Sequence, residues 1–273
     1  MVTRHAGVIG SPIAHSLSPV LHEAAYHALG LQGWSFHRDH VAAGDLAAYV
    51  MGLPEDWVGL AVTMPLKEEA LALATEADEV ATLTGGANTL TRIASGWRAD
   101  NTDVYGLQQA LRDGGLTTTD SAVVVGSGAT ARSALVALSH LGVHEVRLLV
   151  REEVRPAALE LAARLGLHAT TSRYADGPTS WGHPGVVVNT VPSGATPPVD
   201  GWELPEGAVV FDVVYAGWPT PWAAAWAAHG QTVTRGDGML LHQAVRQVRL
   251  MTGHAAPTDA MATALAVALE AGR

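Results

Sequence analysis

The chain has 273 residues, is 48% apolar, carries a formal charge of −10 and contains no cysteine. That length suits one large or two modest domains, and the missing thiols exclude disulfides and thiolate metal sites. No run of about 18 apolar residues offers a membrane span, the start lacks the apolar stretch and cleavage site of a signal peptide, and the scattered cations leave no nucleic-acid footprint. The expectation is a cytoplasmic protein with small-molecule partners, no nucleic acid and no membrane.

In chain order, AGVIG (6–10) reads as a short apolar strand, followed by a helix over about 18–29 with Ser18 as N-cap before Pro19. WSFHRDHV (34–41) is strand-like, DLAAYVMGL (45–53) helical and VGLAVT (58–63) a strand. PLKEEALALA (65–74) predicts a helix opened by Pro65, whose missing N–H would go unused in a first turn. ANTLTRI and WRADNT predict a hairpin around Ser95-Gly96, and a helix from 103 stops at Asp113-Gly114-Gly115. SAVVVG (121–126) is a continuous apolar run of the kind a parallel sheet buries on both faces. A helix over 129–141, a strand over 145–150 and a helix over 155–165 follow. Strands near 168–171, 185–190 and 208–214 and helices near 221–228, 238–252 and 258–271 close the chain. Such alternation predicts an α/β protein with parallel strands and crossover helices. We read two α/β domains, over 1–103 and 104–237, with 238–273 returning to the first.

Lys67, in VTMPLK, is the only lysine; the other fifteen cations are arginines. Arginine keeps its proton in proteins, whereas lysine can exchange one. Two readings stand: an acid–base residue, or a solvated side chain.

VVVGSGATARSAL (123–135) sets Gly126, Gly128 and Ala131 in a GxGxxA spacing between an apolar strand and a helix. A dinucleotide fingerprint requires that context. The first glycine permits a tight turn and the second lets main-chain amides approach a pyrophosphate. The alanine allows close helix–strand packing, and the helix N-terminus supplies N–H donors. A plain strand-to-helix turn is the alternative. Past the next strand, LLVREEVRPA places Arg151 where an arginine accommodates a 2′-phosphate and an acidic residue would pair with a 2′-hydroxyl. The cofactor expected is therefore NADP, with Arg155 as a second phosphate contact. Glu152 and Glu153 keep NAD open.

GSPIAHSLSPVLH (10–22), VTMPLK (62–67), GGANTL (85–90), ADNTDVYG (99–106), NTVPSG (189–194), DVVYAGWPTPW (212–222) and GDGMLLHQA (236–244), with the glycine loop, resemble the shikimate dehydrogenase family in order and over nearly the whole chain. The resemblance implies reversible NADPH-dependent reduction of 3-dehydroshikimate to shikimate, on the route to chorismate and the aromatic amino acids. It also implies an N-terminal substrate domain with a mixed, mostly parallel sheet, a Rossmann-type NADP-binding domain and a cleft between them. It assigns Lys67 and Asp103 as the catalytic pair, Ser16 and Ser18 to the substrate carboxylate, and Thr63, Asn88 and Gln243 to the ring hydroxyls, with Tyr215 bordering them. On the cofactor side it implies Gly126, Ser127, Gly128, Ala129, Thr130, Arg151, Arg155, Thr190, Val213 and Gly236. Ser18 is also explained as a helix cap, and Asn101-Thr102-Asp103 likewise reads as one.

Ala61, Ala129, Val150 and Gly217 depart from the family pattern, and none removes a group that performs the chemistry. Trp218, Trp222 and Trp226, four residues apart, read as one packed helix face, and the thirteen histidines give no metal-ligand pattern. A quinate/shikimate dehydrogenase using NAD and a non-catalytic shikimate-binding paralogue are the alternatives. Monomer and homodimer are both compatible with the sequence.

Overall fold

The computed structural model describes residues 3–271. They divide into two compact units, one running to Asp103 and resuming at Leu240, the other spanning Val104–Met239. In chain order the first stretch comprises β1 (Arg4–Gly10), α1 (Ser18–Ala28), β2 (Trp34–His40), α2 (Leu46–Met51), β3 (Trp57–Val62), α3 (Lys67–Leu73), β4 (Glu76–Ala77), α4 (Glu79–Thr84), β5 (Thr89–Ile93) and β6 (Gly96–Asp100). Next come α5 (Asp103–Asp113), β7 (Ser121–Val125), α6 (Ala129–His140), β8 (Glu145–Val150), α7 (Pro156–Arg164), β9 (His168–Arg173), β10 (Val186–Asn189), β11 (Val209–Asp212), α8 (Pro221–Ala228) and β12 (Val233–Arg235). Helices α9 (Asp237–Thr252) and α10 (Thr258–Ala271) end the chain.

The first unit holds a mixed sheet in the order β2-β1-β3-β5-β6-β4. β1 pairs in parallel with β2 and β3, and β5 runs antiparallel to β3 and β6. Side chains alternate across the sheet as the pleat requires. Ala6, Val8 and Ala61 join Tyr26, Phe36 and Met251 in one apolar cluster, while Ile9, Leu60 and Val62 join Leu46, Leu66 and Leu90 in another. Gly59 lets α9 press onto β3, since a Cβ there would fall 2.8 Å from Met251 Sδ. A third cluster joins α1, α9 and α10 through Leu21, Ala25, Val248, Met261 and Leu265.

The second unit is an all-parallel sheet in the order β12-β11-β10-β7-β8-β9. Strands β7, β10 and β11 sit centrally and are almost wholly buried, which explains their unbroken valine runs. The strand order has the doubly-wound pattern. Thr220 caps α8 by accepting from the Ala223 N–H at 3.1 Å, and Trp222 and Trp226 bury that helix against the sheet. Trp218 lies outside the helix, two residues ahead of its cap, so the expected three-tryptophan face reduces to two.

Two local expectations are corrected. Pro65 does not open α3, which starts at Lys67; Pro65 follows a cis bond in the turn after β3. Ser18 does not cap α1 either. The helix begins at Ser18, and the Ser18 N–H points to Ser16 Oγ at 3.3 Å. β4, α4 and β12, absent from the sequence reading, are short elements with mostly exposed or half-buried residues.

The ring of His22, on α1, is fully buried and stacks on Phe36 at 3.9 Å. Burial lowers its pKa from 6.5 to about 3, opposed by the hydrogen bond that the ring donates to Gln247 Oε1. As pH falls through 6.5 the unfolded chain takes up a proton that the folded chain refuses until about 3, so stability present above 6.5 is lost across that window. At about 1.4 kcal/mol per pH unit, acidification from about pH 7.5 to about pH 5.5 should cost the protein about 1 kcal/mol more than it costs His22→Phe. Urea unfolding at the two pH values measures this, and equal losses would mean the ring protonates in the folded state.

Candidate active site

Within the first unit, four polar side chains converge from three helices and the loop ahead of β5. Lys67, the first residue of α3, donates from Nζ to Asp103 Oδ2 at 2.7 Å, and Asp103 is the first residue of α5. The two side chains are 12% and 6% exposed. Asn88, just ahead of β5, donates from Nδ2 to Asp103 Oδ1 at 2.8 Å, to Thr102 Oγ1 at 2.9 Å and to Gln243 Oε1, on α9, at 3.2 Å. Its Oδ1 accepts the Thr102 N–H at 2.8 Å and the Thr89 hydroxyl at 2.9 Å. Asn101 Oδ1 accepts the Asp103 N–H at 3.0 Å, so the cap expected of Asn101-Thr102-Asp103 is made by Asn101, and its amide ties to Thr84 and Gly86. The Lys67 carbonyl accepts the Ala87 N–H at 2.8 Å. Both members of the ion pair are thereby anchored to one stretch of chain over 86–88.

Ser16 and Ser18 are both buried, their hydroxyls 3.3 Å apart, and Arg38 Nη2 holds the Ser16 carbonyl at 2.6 Å. With no side-chain cap on α1, the two hydroxyls and the helix N-terminus are compatible with a carboxylate. Thr63 follows β3, half-buried, its methyl filling the space that a Cβ on Gly10 would occupy. Tyr215 belongs to the second unit, three residues after β11.

The nucleotide-binding candidates all lie in the second unit. Gly126 follows β7 at φ +107, and a Cβ on it would fall 2.7 Å from Thr190 Oγ1. Thr190 Oγ1 in turn donates to the Val125 carbonyl at 2.6 Å. Gly128 has open space where its Cβ would be and precedes α6, which has no side-chain cap. Ala129 and Thr130 open that helix. Ser127 Oγ accepts the Arg155 N–H at 3.1 Å, and Arg151 and Arg155 are exposed beyond β8. A Cβ on Gly236 would collide with the Val213 carbonyl. A twelve-residue helix N-terminus without a side-chain cap, open space over Gly128 and two exposed guanidiniums nearby in sequence fit a phosphorylated dinucleotide.

The departures find local explanations. No described non-glycine residue has positive φ, so Ala129 sits in ordinary helical space. Gly217 has φ +65, which proline cannot adopt. Ala61 packs in the apolar cluster beside Met251, and nothing in the structure explains Val150 beyond its burial.

The sequence reading gave no site role to Thr89, Thr102 or Gln247, all buried and all bonded to Asn88. Gln247 stands four residues after Gln243 on one helix, so the two share a face. That spacing was the available signal.

Residues 8–90 match the family model described as the shikimate dehydrogenase substrate binding domain, and 236–266 match the shikimate 5'-dehydrogenase C-terminal domain. The chain is 39% identical over 253 residues to a shikimate dehydrogenase (NADP(+)) of Dinoroseobacter shibae, covering 88% of each. It is 34% identical over 278 residues to that of Thermosynechococcus vestitus, covering 98% of this chain and 96% of the relative. Among solved structures, the Mycobacterium tuberculosis shikimate dehydrogenase aligns with TM-score 0.81 at 40% identity, over 97% of this chain and 99% of that one. The Thermus thermophilus shikimate 5-dehydrogenase, in complex with NADP(H) and shikimate, aligns with TM-score 0.82 at 29% identity, over 97% and 100%.

Asn88→Ala removes the partner of a buried main-chain N–H and of one Asp103 oxygen. Each buried group so stranded costs about 1–3 kcal/mol. The urea midpoint of the variant should fall accordingly, and an unchanged midpoint would mean that water or a rearrangement replaces the amide.

Proposed function

The chain belongs to the shikimate dehydrogenase family, and from that premise we propose that it catalyses the reversible NADP-dependent interconversion of 3-dehydroshikimate and shikimate, with Lys67 and Asp103 as the catalytic pair. The observation that carries the assignment of residues is the 2.7 Å contact between Lys67 Nζ and Asp103 Oδ2, buttressed by Asn88 on the second carboxylate oxygen.

NADPH, when bound, supplies the hydride. The chain's own residues must orient the substrate and handle the charge and proton at its oxygen. During reduction, negative charge grows on the carbonyl oxygen. The Lys67 ammonium stabilises it and delivers a proton from Nζ; in the oxidative direction Nζ receives the alcohol proton. Asp103 holds the lysine in place and orients the reacting hydroxyl. Asn88 and Gln243 orient the ring hydroxyls, with Thr63 and Tyr215 as further contacts. Ser16 and Ser18 bind the carboxylate, a reading supported by the finding that Ser18 is not engaged as a cap.

For the cofactor, Gly126, Ser127, Gly128, Ala129 and Thr130 would cradle the pyrophosphate at the start of α6, and Thr190, Val213 and Gly236 would line the nicotinamide side. Arg151 and Arg155 would hold the 2′-phosphate. The Rossmann-type strand order and the exposure of both arginines support this. On this reading the enzyme works in the cytoplasm as a monomer or homodimer; no described helix is long and apolar enough to cross a membrane.

A spectrophotometric assay of shikimate and quinate, each with NADP+ and NAD+, tests the proposal. Turnover of shikimate with NADP+ is the expected result. A clear preference for quinate with NAD+ would favour the degradative relative, and no turnover at all a ligand-binding paralogue. Lys67→Met should lower kcat by roughly 10²–10⁴-fold with KM for shikimate nearly intact. Ser16→Ala and Ser18→Ala should each raise KM for shikimate while leaving KM for NADP+ alone.

A further inference from the structure

Helix α1 carries Ser18 and His22 one turn apart, and α9 carries Gln243 and Gln247 with the same spacing. Ser18 and Gln243 have tasks in the reading above; His22 and Gln247, the next residue along each face, have none. Both are core positions, 0% and 1% exposed. His22 Nε2 lies 3.4 Å from Gln247 Oε1. An amide oxygen only accepts, so Nε2 carries the ring proton, leaving Nδ1 as a lone pair with no hydrogen-bond partner. With its oxygen turned to His22, Gln247 aims Nε2 the other way. It donates to the Asn88 carbonyl and to Thr89 Oγ1, each at 3.1 Å.

The consequence runs through Thr89. Its hydroxyl oxygen accepts from Gln247, and its own proton goes to Asn88 Oδ1 at 2.9 Å. That side of the Asn88 amide is therefore fixed as the acceptor, a choice shared by the Thr102 N–H at 2.8 Å. The opposite side must be the NH2, and it faces Asp103 Oδ1. A flipped Gln247 would present two hydrogens to the His22 N–H and leave Thr89 without a donor. The Thr89 proton would then be at liberty to turn away from Asn88.

We propose that His22 and Gln247 are positioning residues that, through Thr89, reinforce the Thr102 main-chain N–H in holding the Asn88 amide in the one orientation that keeps Asp103 against Lys67. The inference rests on the oxidoreductase reading. As fold elements the two are poor choices: an apolar pair of similar volume would bury without any hydrogen-bond requirement, and replacing both partners together is close to neutral for stability. Burial holds the His22 pKa at about 3, so near neutral pH the ring is an uncharged N–H donor.

The double variant His22→Phe/Gln247→Leu separates the two roles. It keeps the ring stack on Phe36 and fills the Gln247 volume. It should melt no lower than the parent, yet kcat/KM for shikimate should fall about tenfold, the scale expected when a reacting group is slightly misplaced, with KM for NADP+ unchanged. A second variant, Thr89→Val, cuts the same relay at its middle with almost no change of shape and should reproduce that split. Well-folded variants with kcat/KM within twofold of the parent would overturn the proposal. So would a fall matched by an equal rise in KM for NADP+. A parent enzyme inactive on shikimate with either nicotinamide would instead overturn the reading on which the proposal rests.

Discussion

The candidate site depends on a single ion pair kept largely from water. Two opposite charges are costly to desolvate, and their attraction offsets that cost only when the remaining hydrogen-bonding capacity is also used. Asp103 meets the condition with a partner on each oxygen. One carboxylate oxygen takes Lys67, the other takes Asn88, and the main-chain N–H goes to Asn101. The segment between α4 and β5 then becomes the common support. Gly86 accepts from Asn101, Ala87 donates to the Lys67 carbonyl, and Asn88 reaches Asp103. Three consecutive residues thereby fix three separate parts of the pair, and no one of them can shift alone.

Helix geometry pulls the two partners in opposite senses. Asp103 opens α5, where a negative charge meets the positive end of the helix dipole, while Lys67 opens α3, where a cation is at the wrong end. Glu68 and Glu69 in the same turn lessen that mismatch. The ammonium is thus held by Asp103 against the preference of its own helix. That is a reasonable place for a group whose partner must change during a reaction, and a poor one for a purely structural cation.

What could be read from the sequence was what leaves a local trace. Gly126 is legible because the missing Cβ is itself the signal: φ +107 and the nearness of Thr190 both demand it. The valine runs of β7, β10 and β11 are legible because burial on two faces forbids polar alternation. Lys67 stood out by rarity alone. Pro65 misled because a proline ahead of an amphipathic run looks the same whether it sits in the first turn or just before it. Ser18 misled for a related reason: the sequence gives no way to see that Ser16 already faces the Ser18 N–H. β4 and β12 are short and half-exposed, and their pairing partners β6 and β11, not their own residues, define them.

The polar network was least legible, since its meaning lies in contacts between residues as far as 225 positions apart. A glutamine on an amphipathic helix reads as solvent-facing by default, and Gln247 contradicts that default only once α9 is packed against β3 and α1. The first unit buries His22, Asn88, Thr89, Thr102, Asp103, Gln243 and Gln247 in a region where leucine and valine would satisfy the fold. Each buried polar group narrows the geometries that leave no donor or acceptor stranded. A chain of such groups running from α1 to Asp103 has very few acceptable arrangements. Stability gains little from that restriction, whereas a carboxylate that must meet an ammonium at hydrogen-bond distance gains its definition from it.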